Sequence, residues 1–280
     1  MIKKIFSASW VFLVLLAIYL PIIILAIYSF TDSTTIGAIR GFSLNNYETL
    51  FTTKELLEMI VDTLVLALVV AILAVVLGTS GAIGAFYSKR LPKAFIRNAN
   101  QIPVVNADVV TGFSICILLI VAFGIDKSTY IPLVIGQVTL CAPFVYLSVV
   151  PKLIQMDNNL YEAALDLGAT PSKALFKVVI PQIMPGIVSG FMLSITLSLD
   201  DYFVTTYTKP ATFNTISTYV VNATKGAQTN IKTALWALST IIFAIVIAIV
   251  LINYFRTNKK VGESLSLIHI SEPTRLRCIS

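Results

Sequence analysis

Residues 162–187 read EAALDLGATPSKALFKVVIPQIMPGI. Asp157 stands where it can cap a helix over roughly 158–167, Gly168 suits the left-handed residue that ends one, and Thr170-Pro171 signals the cap and first turn of another. The spacing predicts a helix, a tight turn and a second helix, with Pro181 and Pro185 marking the change of direction that follows. Its surroundings make this stretch decisive: Glu162, Asp166, Lys173 and Lys177 lie between two long apolar runs.

Those runs dominate the chain. Of its 280 residues 57% are hydrophobic and 12% charged, with a mean hydropathy of +0.88, whereas a soluble domain carries about 25% charged residues. The composition implies an integral membrane protein. Apolar runs fall at about 8–30, 60–86, 101–124, 129–150, 183–204 and 233–255, each near or above the roughly 20 residues a crossing needs. Lipid offers the backbone no hydrogen-bond partners, and the alternating pattern of a barrel is absent, so the fold class predicted is an all-α membrane protein with six transmembrane helices. In the second run Gly78, Gly81 and Gly84 recur at helical spacing, a pattern that lets another helix approach closely. The first run follows Lys3 and Lys4, is too long for the core of a secretory signal and precedes no small-residue cleavage site, so it reads as a retained anchor.

The net charge of +6 would suggest nucleic acid in a soluble protein, but no basic patch here is interleaved with aromatic residues. Loop asymmetry accounts for it. With the N-terminus in the cytoplasm, twelve basic residues fall inside (Lys3, Lys4, Lys89, Arg90, Lys93, Arg97, Lys152, Lys173, Lys177, Arg256, Lys259, Lys260) and six outside (Arg40, Lys54, Lys127, Lys209, Lys225, Lys232). That bias predicts two cytoplasmic termini and puts the polar segment of about 152–182 in the cytoplasm between spans four and five.

Catalytic and metal chemistry find little to work with. Cys116 and Cys141 sit within apolar runs, and Cys278 and the single histidine, His269, lie in a C-terminal tail. No metal set, no nucleophile with a base and no G-x-x-x-x-G-K-[ST] phosphate loop is present, so this chain is expected to bind no cofactor and to hydrolyse no nucleotide. The tail itself, LSLIHISEPTR at 265–275 and on to residue 280, resembles translated sequencing-adapter read-through. It is set aside as non-native, leaving a six-span unit over 1–264.

Acidic residues near the spans are the candidates for a binding function. Asp200 and Asp201 close the fifth run, roughly 26 Å above Ile183 at 1.5 Å per residue, and carboxylates there are costly unless they face a cavity, a partner or water. Tyr202 and Phe203 adjoin them. An organic cation would suit such a pair, and so would an ordinary polar helix end. Asp108, at the start of the third run near the cytoplasmic side, is either a functional carboxylate or a helix cap. Ser198 is a further candidate on the same route, or a serine bonded to its own helix.

The residues 162–181 carry a resemblance to a known family. Glu162-Ala163-Ala164, three residues, Gly168, nine residues and then Val178-Val179-Ile180-Pro181 resemble the E-A-A-x3-G-x9-I-x-L-P loop of ABC importer membrane subunits, with Val178 for isoleucine and Ile180 for leucine. YLPIIILAIYSF (19–30), PFVYLSVVPKL (143–153), YEAALDLGAT (161–170) and LSLDDYFVT (197–205) resemble, in order, the second permease subunit of spermidine/putrescine importers. The resemblance implies a type I permease in a bacterial inner membrane, whose first hairpin helix, about 158–167 with Ala163 and Ala164 included, lies in a groove of a separate ATPase dimer. Glu162, Ala163, Ala164, Gly168 and Pro181 would form that coupling element. ATP and magnesium would be held by the partner. It further implies a second six-span permease and an extracytoplasmic polyamine-binding protein as partners, and a substrate pathway including Asp200, Asp201, Asp108, Ser198 and Tyr47. Tyr47 aligns with an aromatic region of the family's first loop, and next to Asp108 this chain has Ala107 in place of the family's proline. Other readings remain: the same machinery for another small solute, a membrane-embedded enzyme, or a passive channel, which leaves the coupling loop unexplained.

Overall fold

A computed structural model describes residues 2–31, 41–157, 159–225, 234–244 and 247. Within them lie α1 (Ile2–Ser29), α2 (Asn45–Thr52), α3 (Lys54–Tyr87), α4 (Arg90–Val105), α5 (Asp108–Ile117), α6 (Ile131–Gln155), α7 (Asn159–Asp166), α8 (Pro171–Ala174), α9 (Ile180–Asp200), α10 (Phe203–Thr208) and α11 (Ile216–Lys225). A short apolar helix, α12, spans Ala234–Ala244. π-helical turns extend α5 through Leu118–Ala122 and join α8 to α9 through Leu175–Val179. No strand occurs among the described residues.

The chain divides into two compact units, Met1–Thr53 with Ala227–Ser280, and Lys54–Gly226. In the first, α1 is apolar on all sides along Ser9–Ser29, long enough to cross a bilayer. Ser29 ends it, and Asn46 on α2 donates to the carbonyls of Ser29 and Thr31 at 3.0 Å each. Tyr47 meets Ser29 hydroxyl to hydroxyl at 2.9 Å and packs its ring 5.0 Å from Phe30.

The second unit is built on α3, α6 and α9. Val70, Ala74, Leu133, Cys141, Val145, Val149, Val179 and Ile183 form its core, each fully buried. Lipid tails are as apolar as these side chains, so close packing rather than escape from water must hold the helices together. Glycine permits it. A Cβ at Gly78 would lie 2.7 Å from the Ala142 carbonyl oxygen and from Val145 Cβ, and one at Gly186 would lie 2.9 Å from the Ser148 carbonyl oxygen. The seam sought in Gly78, Gly81 and Gly84 therefore narrows to Gly78: a Cβ at Gly81 would lie 3.9 Å from the Tyr146 ring, and one at Gly84 would meet no described neighbour within 4 Å.

Four helical stretches are long and apolar enough to cross a membrane: Ser9–Ser29, Lys54–Tyr87, Ile131–Gln155 and Pro171–Asp200. Two of the six expected spans differ from this count. The third, 101–124, is not one straight helix: α4 and α5 meet at 111°, because Asn106 and Ala107 are extended, with ψ of 148° and 136°. Counting that pair as one crossing gives up to five. The sixth, 233–255, is described only as α12 and residue 247; the rest of it and the tail at 265–280 lie outside the described residues. The fifth also ends earlier than the expected 204, at Asp200, since Asp201 turns the chain out of the helix at ψ 117°.

Candidate functional site

Around the opening motif the local signals act as their chemistry predicts. The Asp157 carboxylate accepts from Asn159 N–H at 3.0 Å, starting α7. At its end Gly168 takes φ +85°, Gly168 N–H donates to the Leu165 carbonyl at 2.8 Å and Ala169 N–H to that of Ala164 at 3.0 Å. That bond pair is the Schellman closure, in which a left-handed residue satisfies the last carbonyls of a helix. Thr170 then accepts from Lys173 N–H, and Pro171 opens α8.

From there the helix does not break. The π-turn at Leu175–Val179, closed by Ile180 N–H onto the Leu175 carbonyl, carries it into α9, so the expected change of direction at Pro181 and Pro185 becomes a widened turn. Pro181 has no N–H to give the Lys177 carbonyl, and a π-turn accommodates the missing bond. The helix is thus continuous from Pro171 to Asp200, with α7 attached to it by the Gly168 turn. A second attachment was not evident in the sequence: the Tyr161 ring lies 5.1 Å from that of Tyr87 at the end of α3.

One face of the hairpin is uncovered by the described residues. Glu162, Ala163, Gly168 and Pro181 are exposed and Ala164 is half-buried, while Leu160, Leu167 and Phe176 are exposed apolar side chains. Leu167 is 90% exposed, a burden in water that a partner's groove would relieve.

The acidic pair at the far end of α9 divides. Asp200 is exposed, and among the described residues no hydrogen bond or ion pair engages it. Asp201 is buried. Its Oδ1 accepts from Val204 N–H at 3.1 Å, and its Oδ2 accepts from Thr205 N–H at 2.8 Å and from the Thr205 hydroxyl at 2.6 Å. Thr205 in turn accepts from Gln137 Nε2 at 2.7 Å, and Gln137 Oε1 accepts from the Ser198 hydroxyl at 2.6 Å. Ser198, Gln137 and Thr205 are all buried. The Ser217 hydroxyl also donates to the Asp201 carbonyl at 2.6 Å, tying α11 to the joint.

Asp108, expected near the opposite, cytoplasmic end, comes instead to the same end of the unit as Asp201, because the bend between α4 and α5 lays α5 against α10. A Cβ at Gly112 would lie 2.8 Å from Val204 Cα, and Cys116 Sγ donates to the Tyr207 carbonyl at 3.1 Å, so α5 and α10 run side by side in the same direction. Asp108 and Asp201 precede these contacts by about one turn each. The side chain of Asp108 is exposed; Ala107 holds the cap position with no side-chain bond, leaving Asp108 in the first turn. Tyr202 and Phe203 pack edge to face at 5.2 Å beside the pair. Tyr47 belongs to the other unit. Just past α10, Lys209 donates to the Phe213 carbonyl at 2.6 Å and to Asn214 Oδ1 at 2.9 Å; partial burial, with Lys127 nearby, holds its ammonium below the usual lysine range.

Sequence reasoning missed Gln137 and Thr205. A lone glutamine inside an apolar run was the available signal, since a buried amide requires partners.

Comparison with known proteins agrees in kind. A model of the family described as binding-protein-dependent transport system inner membrane component matches residues 74–262. The spermidine/putrescine transport system permease protein PotC of Haemophilus influenzae is 30% identical over 251 residues, covering 90% of this chain and 96% of that protein. The putrescine transport system permease protein PotI of Escherichia coli is 32% identical over 200 residues, covering 68% of this chain and 69% of its own. Among solved structures, an amino acid ABC transporter crystallised with histidines is similar at a TM-score of 0.51 and 17% identity, over 75% of this chain and 95% of that one.

Proposed function

The chain belongs to the family of binding-protein-dependent transport system inner membrane components, and from that premise we propose that it is one permease subunit of an ATP-driven importer of spermidine or putrescine. It is a multi-pass membrane protein of a transport family. The cargo reading is supported by relatives named for these polyamines, aligned over most of the chain.

The energy source is a partner. The observation that carries this is the exposed α7, with Ala163 uncovered and Leu167 exposed just beyond it, joined by the Gly168 turn to the continuous helix Pro171–Asp200. Closure of an ATPase dimer on that face, with ATP and magnesium held by the dimer, would move α7 and with it α9 and, through the Tyr161–Tyr87 contact, α3. ATP then biases the two conformations of the permease only because the closed dimer binds it more tightly. A second permease subunit completes the pathway, and an extracytoplasmic binding protein delivers cargo. Both termini are assigned to the cytoplasm on the basic-residue bias, which puts α7 there too.

At the other end, Asp200 offers a carboxylate that no described residue engages, beside Tyr202 and Phe203. A polyamine ammonium pairs with the first and packs on the aromatic faces. Asp108 opens at the same end as a second carboxylate for a cation with several charges.

The test is reconstitution of the complex with its ATPase, partner permease and binding protein in liposomes. Labelled spermidine or putrescine should accumulate only when ATP is supplied on the α7 side. Accumulation without ATP, or ATP-driven uptake of some other solute with none of either polyamine, contradicts the assignment.

A further inference from the structure

We infer that the two neighbouring aspartates have different tasks: Asp201 is a positioning residue at the end of a buried hydrogen-bond chain through Thr205 and Gln137 to Ser198, and Asp200 alone of the pair meets cargo. This rests on the transport role proposed above.

Chemistry separates them. A carboxylate offers about four acceptor sites, and Asp201 gives three to Val204 N–H, Thr205 N–H and the Thr205 hydroxyl. The first two bonds cap α10 and fix the angle at which it leaves α9. The third ends a relay in which every donor points the same way, from the Ser198 hydroxyl to Gln137, from the Gln137 amide to Thr205, and from the Thr205 hydroxyl to the carboxylate.

A chain of that direction needs an acceptor at its end, a carboxylate there strengthens the last bond, and each link polarises the next. It begins on α9, crosses to α6 and returns to the residue just beyond α9, so it fastens the joint between α9 and α10 to the central helix. Asp200 lies inside that fastened loop with its own side chain exposed. The joint therefore sets where Asp200 points.

Thr205 makes this testable, because it is 0% exposed and cannot touch a diffusing cation. In the complete importer, Asp201→Asn and Thr205→Val should each lower uptake per assembled complex by about tenfold, and the double variant should be no worse than Asp201→Asn alone. Thr205→Ser, which keeps the hydroxyl, should transport near the wild-type rate. Adding Asp200→Asn to Asp201→Asn should deepen the loss.

Three results overturn the inference: Thr205→Val transporting normally while Asp201→Asn does not, which makes Asp201 a cargo ligand; losses that multiply in the double variant; or a fall in the amount of complex with unchanged uptake per complex, which makes the chain merely structural. If the wild-type complex hydrolyses ATP in response to its binding protein yet takes up no polyamine, the cargo assignment fails alone. The equivalence of Asp201→Asn and Thr205→Val is then read from that stimulated hydrolysis, with the same outcomes for and against.

Discussion

Replacing Gly168 with valine lowers ATP-driven uptake by about two orders of magnitude while the subunit stays in the membrane. Gly168 sits at φ +85°, where a side chain on an L-residue costs about 1–2 kcal/mol and a β-branched one more. The strain is relieved by giving up the Schellman closure from Gly168 and Ala169, and α7 then leaves the hairpin in another direction. An added Cβ would meet nothing within 4 Å, so the defect comes from the backbone and not from packing. Asparagine tolerates the left-handed region and should cost the least of the non-glycine residues there. Uptake and ATP hydrolysis measured on the same complex check this: hydrolysis persists as cargo movement is lost. A valine variant that transports at the wild-type rate removes α7 from the coupling path.

Asp200→Asn has the second largest effect, a loss of uptake of about tenfold or more from removing one half of a charge-assisted contact. The amount and stability of the complex should stay unchanged, because Asp200 is exposed and nothing among the described residues bonds to it. Surface substitutions of that kind stay within about 0.5 kcal/mol. Uptake of labelled spermidine, normalised to assembled complex, is the measurement. Normal uptake by the variant, or an equal loss for an uncharged solute, contradicts a cation contact at this position.

The hairpin was legible in advance because its determinants are local. Asp157, Gly168, Thr170 and Pro171 act on backbone groups within a few residues, and each bond they were expected to make is present. The long apolar helices were legible for a similar reason, since length and hydropathy suffice. What hydropathy averages over was not legible. Residues 101–124 are apolar enough for one crossing, yet the extended backbone at Asn106 and Ala107 splits them into α4 and α5. Asp200 and Asp201 look alike in sequence; which one is buried depends on a helix that begins at Phe203 and on a threonine and a glutamine 68 residues apart. The Tyr161–Tyr87 contact escaped notice because it joins the hairpin to a distant helix end.

The central claim is that α7 lies against an ATPase on the cytoplasmic side. Site-directed cross-linking from a cysteine placed at the exposed position 163 tests it most directly, in inside-out vesicles of the assembled importer. A covalent product with the ATPase subunit, whose yield changes with nucleotide, is the result expected. A cysteine there that reacts only with reagents added to the outer face, or that never links to a nucleotide-hydrolysing subunit, contradicts the account.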